Sequence, residues 1–286
     1  MLLFQLIISG LAQGCIYGLL AMGVSLIYQA RQTISLAQGE LMMLGAWFAL
    51  IGTVTLGFPF WLAACGAVLC TGVLGYAMER LVLRPLLNKP VWLASLLTLA
   101  VAFGARKLIL VATGSGLNTT ALPSPYRDDT WLLLGLPFRV EHLVAILVTL
   151  ALCGVLYALI RFTKVGFALH ASLHNRLAAR HMGLPVRHLD SAIWVLASVL
   201  AAAAGLMLAT WTPVDADMAF SGLKALPAVL IGGLMGLRGA VLGGLLIGVV
   251  ESIASVVLPD EWQNSPGYVM ALFVWLLQRM AQRRSP

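Results

Sequence analysis

Charged residues are scarce in this sequence. Asp, Glu, Lys and Arg together make up 10% of the 286 residues, whereas soluble globular domains carry about 25%. Hydrophobic residues make up 60%, and the mean hydropathy is +0.95. A membrane-spanning helix needs roughly 20 apolar residues in a row. The composition therefore excludes an ordinary soluble protein and predicts an integral membrane protein.

Cysteine and histidine are also rare, and two familiar motifs are missing. The four cysteines lie singly in apolar segments without a C-x-x-C pair, so we interpret them as core residues and predict no metal site and no cofactor. None of the four lysines follows a glycine, which excludes the phosphate-binding loop G-x-x-x-x-G-K-[ST]. The net charge of +7 resides in short clusters between apolar runs. This pattern indicates membrane topology rather than a nucleic-acid partner.

Long apolar runs bounded by charge, proline or turn residues fill the rest of the chain. We predict spans near residues 2–28, 38–57, 60–82, 92–112, 141–161, 190–211, 239–258 and 267–281. A ninth segment, 222–236, is short for a crossing. The predicted fold class is an all-α polytopic membrane protein with about eight or nine transmembrane helices, forming a single domain over residues 1–286.

Lysine and arginine predict the orientation. Alternate loops carry Arg31, the group from Arg80 to Lys89, Arg238 and the C-terminal arginines, and basic loops lie on the cytoplasmic side. We therefore expect the N-terminus outside and the C-terminus in the cytoplasm. The alternation requires segment 222–236 to cross the membrane or to re-enter it in an equivalent way.

Residues 162–189 form the longest predicted cytoplasmic loop. Leu169, Leu173 and Leu177 recur every four residues, as in an amphipathic helix, and Gly183 with Pro185 then ends that helix. An exposed leucine stripe is expected to contact either a protein partner or the lipid surface, with its basic residues toward the headgroups.

Glycines recur at two places. Gly10, Gly14 and Gly18 are four residues apart, which predicts a helix face that a neighbouring backbone can approach closely. The adjacent Gly232 and Gly233 lie inside the short segment 222–236. They predict a broken helix or an irregular backbone, which is tolerated in a membrane only where it is buried in protein or lines a watery path.

Several stretches resemble one family of permeases. Q-G-C-I-Y-G-L-L-A-M-G-V-S-L-I-Y, I-S-L-A-Q-G-E-L-M-M-L-G-A, T-K-V-G-F-A-L-H-A, A-A-R-H-M-G-L, G-L-K-A-L-P-A-V-L-I-G-G and G-A-V-L-G-G-L-L-I-G-V-V-E-S follow one another along the chain. They resemble, in matching order, the LivH-type permeases of ATP-binding-cassette (ABC) importers for branched-chain amino acids. LivM-type permeases and urea or short-amide permeases share parts of the pattern.

The resemblance implies a transport subunit rather than an enzyme, located in the bacterial inner membrane. Its partners would be a second, LivM-like permease, two cytoplasmic ATPases that hydrolyse ATP, a periplasmic solute-binding protein, the small-molecule substrate and membrane lipid. Residues 162–189 would couple to the ATPase through Gly166, Leu169, Leu173, Leu177, Ala178, Arg180 and Gly183. The translocation path is expected to involve Tyr28, Gln38, Gly39, Glu40, Lys224, Gly232 and Gly233.

Charged residues inside apolar spans need partners, because each costs about 2.5–3.5 kcal/mol at the bilayer centre. Glu251, Arg106 and Lys107 are predicted at similar depths. Our hypothesis is that Glu251 forms an ion pair with Arg106 or Lys107 that stabilises the helix bundle. In the alternative of an ion-coupled secondary transporter, Glu40 and Glu251 would carry the coupling charge. A membrane enzyme is disfavoured, because no nucleophile, base and metal ligands converge in the sequence.

Overall fold

A computed structural model describes residues 2–86, 91–112, 121–126, 130–133, 136–174, 176–215, 217–234, 236–259, 262 and 265–284. The helices are α1 (Leu2–Arg31), α2 (Gln38–Leu50), α3 (Phe60–Ala77), α4 (Val91–Ala112), α5 (Val140–Phe162), α6 (Lys164–His174), α7 (Arg176–His181), α8 (Val186–Trp211), α9 (Met218–Leu223), α10 (Ala225–Gly232), α11 (Leu237–Val257) and α12 (Pro266–Arg284). A π-helical turn, Ile51–Thr55, extends α2, while a π-helical turn and a 3₁₀ turn, Met78–Leu83 and Arg84–Leu86, extend α3.

Five helices within the described ranges are long and apolar enough to cross a membrane. They are Gln5–Arg31, Phe60–Leu86, Val140–Phe162, Val186–Trp211 and Leu237–Val257. An α-helical membrane protein is therefore confirmed. The larger number of eight or nine crossings stays a prediction.

One short antiparallel hairpin accompanies the helices. Strands β1 (Thr130–Leu133) and β2 (Leu136–Arg139) pair from Thr130 opposite Arg139 to Leu133 opposite Leu136, directly before α5. The sequence analysis did not predict this hairpin, because its few residues lack the long alternation that marks a strand.

Helices α1 and α11 run antiparallel with their backbones in contact. A β-carbon on Gly248 would lie 2.2 Å from the backbone nitrogen of Gly14, and one on Gly244 would lie 2.5 Å from the Cα of Gly18. Neither position leaves room for a side chain. The predicted glycine face of α1 is thus confirmed, and α11 is the helix that approaches it.

Helix α8 occupies the centre of the bundle together with α1. Trp194 on α8 and Tyr17 on α1 are among the largest fully buried side chains, and α8 also packs against α2 and α3. Helices α3 and α5 lie at the periphery, where Leu69 and Leu147 are exposed. Apolar side chains on an outer helix face are expected in a protein surrounded by lipid.

Candidate functional site

Helix α2 begins beside the middle of α8. The side-chain Nε2 of Gln38, the first residue of α2, donates a hydrogen bond of 2.7 Å to the carbonyl oxygen of Ala197. Ala197 is near the midpoint of α8, which is long enough to span the membrane. The extended stretch before Gln38 therefore runs back from the end of α1 into the bundle, and α2 starts deep inside it.

Helices α9 and α10 form a short, interrupted helical segment against the start of α2. A β-carbon on Gly39 would lie 2.3 Å from the carbonyl oxygen of Ala219 on α9. From Met218 to Gly232 the segment is about 22 Å long at 1.5 Å per residue, which is short of the roughly 30 Å hydrocarbon core. Broken helices of this kind lie around the binding sites of many transporters.

The segment ends at the glycine pair that the sequence analysis singled out. Helix α10 stops at Gly232, and Gly233 has a positive φ of 87°, a conformation that residues with a β-carbon rarely adopt. A β-carbon on Gly232 would lie 1.9 Å from the carbonyl oxygen of Gly239. The predicted break in the helix is confirmed, and it lets the chain turn directly into α11.

Three charged side chains and one aromatic ring meet where α2, α4 and α9 approach each other. We call Glu40, Arg106, Asp217 and Phe220 the open cluster. The Nη2 of Arg106 lies 2.5 Å from the Oδ1 of Asp217, and its guanidinium carbon lies 4.4 Å from the centre of the Phe220 ring. Glu40 lies within electrostatic range of Arg106. This cluster was not predicted, because the sequence places its members in three separate segments.

Glu251 has partners other than those in our hypothesis. Its Oε2 accepts hydrogen bonds of 2.9 Å from Lys224 Nζ and of 2.9 Å from the Tyr17 hydroxyl, and we call these three residues the closed cluster. Lys224 also lies 5.4 Å from the centre of the Tyr17 ring. The predicted pairing of Glu251 with Arg106 or Lys107 is therefore wrong.

The error has a simple cause. The sequence analysis compared only depths along the helices, which do not reveal the direction in which a side chain points around the bundle. Arg106 belongs to α4, which approaches α2 and α9, as the contact of Ile109 with Met43 shows. Glu251 belongs to α11 and points toward α1 and α10 instead. Lys107 is exposed.

The closed cluster lies near the middle of α1. Tyr17 is close to the midpoint of Leu2–Arg31, and a polar cavity of about 260 Å³ adjoins it. The cavity is lined by Ser9, Gln13, Tyr17, His142, Lys224, Gly248, Glu251, Ser252 and Ser255. The sequence analysis assigned Lys224 to the translocation path, and its ammonium group reaches this buried cluster.

A second, apolar cavity of about 420 Å³ lies between α1, α4 and α10. It is lined by Val24, Tyr28, Gln32, Ile34, Leu36, Ser95, Leu226, Val229, Leu230 and Leu234. Tyr28 is the member of this lining that the sequence analysis assigned to the path. Aliphatic side chains from the broken helix thus face a space large enough for a small apolar group.

The end of the bundle that holds Arg31 contains a buried ionic network. The Nη2 of Arg31 lies 2.5 Å from Glu79 and 3.4 Å from Asp190, and Ser191 donates a hydrogen bond of 2.7 Å to Glu79. Arg84 contacts Glu79 and Ser191 as well. We call these five residues the inner network, and it joins the ends of α1 and α3 to the first turns of α8.

The sequence analysis read these arginines as topology signals and missed their acidic partners. Glu79 and Asp190 are both buried. Their positions close to arginines in the sequence could have predicted the ion pairs, since buried charged groups are normally paired.

Helix α6 folds back onto the end of α5. A β-carbon on Gly166 would lie 2.1 Å from the carbonyl oxygen of Leu159. The hydroxyl of Thr163 donates to that same carbonyl and accepts a hydrogen bond of 2.9 Å from the backbone N–H of Gly166, which caps the helix. The junction between α5 and α6 is therefore tightly fixed.

This arrangement corrects part of the predicted leucine stripe. Leu169 is buried in the main hydrophobic core, because α6 packs against α5 and α8, so its predicted exposure is wrong. Ala178 is exposed, and Gly183 ends the segment with a positive φ of 79°. The side chains of Leu173, Leu177 and Arg180 lie outside the described residues.

The exposed apolar residues of this region differ from those expected. Phe167 on α6 and Met182 after α7 are 78% and 85% exposed. The sequence analysis missed both, because neither falls on the four-residue leucine repeat.

Long apolar helices and a broken helix deep in the bundle define an α-helical membrane protein, and broken helices of this kind are typical of transporters. The family model described as branched-chain amino acid transport system / permease component matches residues 6–279. The chain therefore belongs to that family of permeases.

Individual relatives are similar along most of their length. The high-affinity branched-chain amino acid transport system permease protein LivH of Salmonella typhimurium is 26% identical, covering 96% of this chain and 92% of that protein. BraD of Pseudomonas aeruginosa, which has the same description, is 25% identical, with 96% and 93% covered. A probable LivH of Methanocaldococcus jannaschii is 29% identical, with 85% and 78% covered.

A solved structure shares the fold. A chain of PsaBC from Streptococcus pneumoniae in complex with Fab superposes with a TM-score of 0.53 at 12% identity, covering 94% of this chain and 89% of that chain. At this identity the likeness concerns the fold alone.

Proposed function

We propose that this chain is a membrane-spanning permease subunit of an ABC importer for branched-chain amino acids. The observation that carries the proposal is the family match over residues 6–279. The LivH and BraD relatives, which are described as branched-chain amino acid permeases, cover more than nine-tenths of the chain. A binding protein outside the membrane would deliver the amino acid, and two ATPases in the cytoplasm would supply the energy.

The proposed orientation has the N-terminus outside and the C-terminus inside. Arg31, Arg84 and Arg187 lie at one end of the bundle, where Arg84 contacts the carbonyl oxygen of Arg187 at 3.4 Å. The segment α6–α7 follows α5 at that same end. Clustered basic residues favour the cytoplasmic side of a membrane, so we place this end of the bundle in the cytoplasm. With α9–α10 entering from outside and the chain returning through α11, nine segments would be inserted in the membrane.

The cytoplasmic coupling region, residues 162–189, would transmit the closure of the ATPases. Phe167, Ala178 and Met182 offer the exposed surface on which an ATPase would dock. Helix α8 begins at Val186, within the last residues of this region, and Asp190 connects α8 to α1 through Arg31. Movement of the coupling region would therefore reach the centre of the bundle through the inner network.

Helix α4 supports the proposal of a second, LivM-like permease. Among the residues that the structure describes, α4 makes few contacts with the other helices, and its residues Trp92, Leu96 and Phe103 are exposed. The translocation path would follow the side of the molecule where α4, α2 and α9–α10 meet, including Tyr28, Gln38 and Glu40.

Reconstitution tests this function. The chain would be tagged in its native host, purified with its membrane partners, and reconstituted into liposomes with ATP and a solute-binding protein for branched-chain amino acids from the same host. We expect ATP-dependent uptake of radiolabelled leucine, isoleucine and valine. Uptake of urea without amino acids would contradict the substrate class, and ion-driven uptake by the chain alone would contradict the ABC assignment.

The coupling role is tested by a matched pair of glycine variants on adjoining helices. Gly166→Ala would drive its methyl group into the backbone of α5, and overpacking of this kind costs about 1–3 kcal/mol. We expect loss of ATPase co-purification or of leucine-dependent ATP hydrolysis. Gly154→Ala on α5 is the control, because nothing lies within 4 Å of its β-carbon position. Equal behaviour of the two variants would contradict the coupling role.

A further inference from the structure

Asp217 and Phe220 of the open cluster are exposed although they lie deep in the bundle. Asp217 precedes α9, whose Ala219 packs against Gly39 beside the middle of α8. Its side chain is nevertheless 77% exposed, and Phe220 is 52% exposed. A charged group at such depth does not face hydrocarbon without a large cost. This side of the chain therefore faces water or another subunit.

The open cluster has hydrogen-bonding capacity left over. In the described part of the chain, the guanidinium of Arg106 makes one hydrogen bond, to Asp217, although a guanidinium carries five N–H donors. The Oε2 of Glu40 is shielded from solvent and has no hydrogen-bond partner among the described residues. Glu40 and Asp217 thus bring two carboxyl groups to one guanidinium, so the cluster has acceptors for a further cationic group.

We propose that the open cluster holds the zwitterionic head group of an α-amino acid during its passage through the membrane. The substrate carboxylate binds the Arg106 guanidinium, and its ammonium group binds Glu40 and Asp217. Phe220 keeps the guanidinium in place by stacking against it. This proposal rests on the function proposed above and assigns that function's substrate contacts.

The apolar cavity provides a second binding position for the substrate, on the same side of the chain as the open cluster. Ser95 of that cavity and Arg106 both belong to α4, and eleven residues of helix separate them by about 16 Å. A single leucine does not reach across this distance. The head group is therefore held first at the open cluster, and the aliphatic side chain is then accepted among Leu226, Val229 and Leu230. Weak contacts in succession allow rapid release.

The test uses the reconstituted transporter with its binding protein and compares Arg106→Gln with Lys107→Gln. These neighbours on α4 both lose one positive charge, but Lys107 is exposed and points away from Arg106 by about 100°. We expect Arg106→Gln to lower leucine transported per ATP by at least about tenfold. Lys107→Gln is expected to transport at the wild-type rate, and both variants should keep ATP hydrolysis stimulated by the loaded binding protein.

A charge exchange separates a cargo contact from a structural ion pair. In the double variant Arg106→Asp with Asp217→Arg, a merely structural pair would be restored, and uptake with it. We expect the assembled complex to form but leucine uptake to stay low, because the oriented head-group site is reversed. Restored uptake, equal losses in the two single variants, or a loss of assembly in Arg106→Gln would each overturn the proposal. Absence of amino-acid uptake in the wild type would instead overturn the proposed function itself.

Discussion

The open and closed clusters show two ways in which one membrane protein accommodates ionised groups. In the closed cluster, the side chains of Lys224 and Glu251 are 13% and 8% exposed, and the Tyr17 hydroxyl donates a second hydrogen bond to the carboxylate oxygen that Lys224 contacts. In the open cluster, Asp217 is largely exposed while Arg106 is mostly covered. The first pair has its partners within the chain. The open cluster keeps unused hydrogen-bonding groups for a molecule that binds and leaves during transport.

Burial determines the energetic role of each pair. Ions withdrawn from water are strongly destabilising when one partner is lost, whereas exposed pairs contribute little to stability. The closed cluster is therefore expected to hold α1, α10 and α11 together, and the open cluster to serve transport.

The largest effect is expected from Glu251→Ala. The ammonium of Lys224 would lose its carboxylate inside the bundle, which costs about 3–5 kcal/mol. The free energy of unfolding, measured by titrating the detergent-purified protein with sodium dodecyl sulfate, checks this. The double variant Lys224→Met with Glu251→Leu is the control, and it should unfold closer to the wild type because no lone charge remains. A Glu251→Ala protein as stable as the wild type would contradict the expected stabilising role of the closed cluster.

An intermediate effect is expected from Tyr17→Phe. The change keeps the ring but removes the O–H donor to Glu251 and the acceptor of the Gln13 side chain. Hydrogen bonds to charged groups contribute about 1.5–3 kcal/mol, so the same titration should show a loss in this range. Tyr76→Phe removes a hydroxyl from an exposed contact with Arg80 and should change stability by less than about 0.5 kcal/mol.

The smallest change in stability is expected from Asp217→Asn. Its exposed pairing with Arg106 should contribute about 0–1 kcal/mol, so folded yield and unfolding should stay near the wild type even if transport falls. Asp190→Asn makes the same chemical change at a buried carboxylate of the inner network and should destabilise the protein far more. If the two variants were equally unstable, the open cluster would be a structural element.

The sequence predicted the features that depend on neighbours along the chain. The predicted segment 92–112 corresponds to Val91–Ala112, and 141–161 corresponds to Val140–Phe162, because apolar runs and their boundaries are local. The face formed by Gly10, Gly14 and Gly18 was also predictable, since helical periodicity sets it.

The sequence did not predict which residues meet across the bundle. The pairing of Glu251 with Lys224 depends on how α11 and α10 are rotated, and that rotation is set by packing rather than by spacing. The start of α2 beside the middle of α8 was missed for a similar reason. Hydropathy reports that residues 38–57 are apolar, but it carries no information on how deep Gln38 lies.

The backbone contact between α1 and α11 has a mechanical consequence. Where Gly14 meets Gly248 there is no clearance for either helix to slide or to rotate past the other. These two helices are expected to travel as one rigid body throughout a transport cycle. Spin labels on their outer faces should keep a constant separation with and without nucleotide, while labels on α4 and α10 should report the motion that admits cargo.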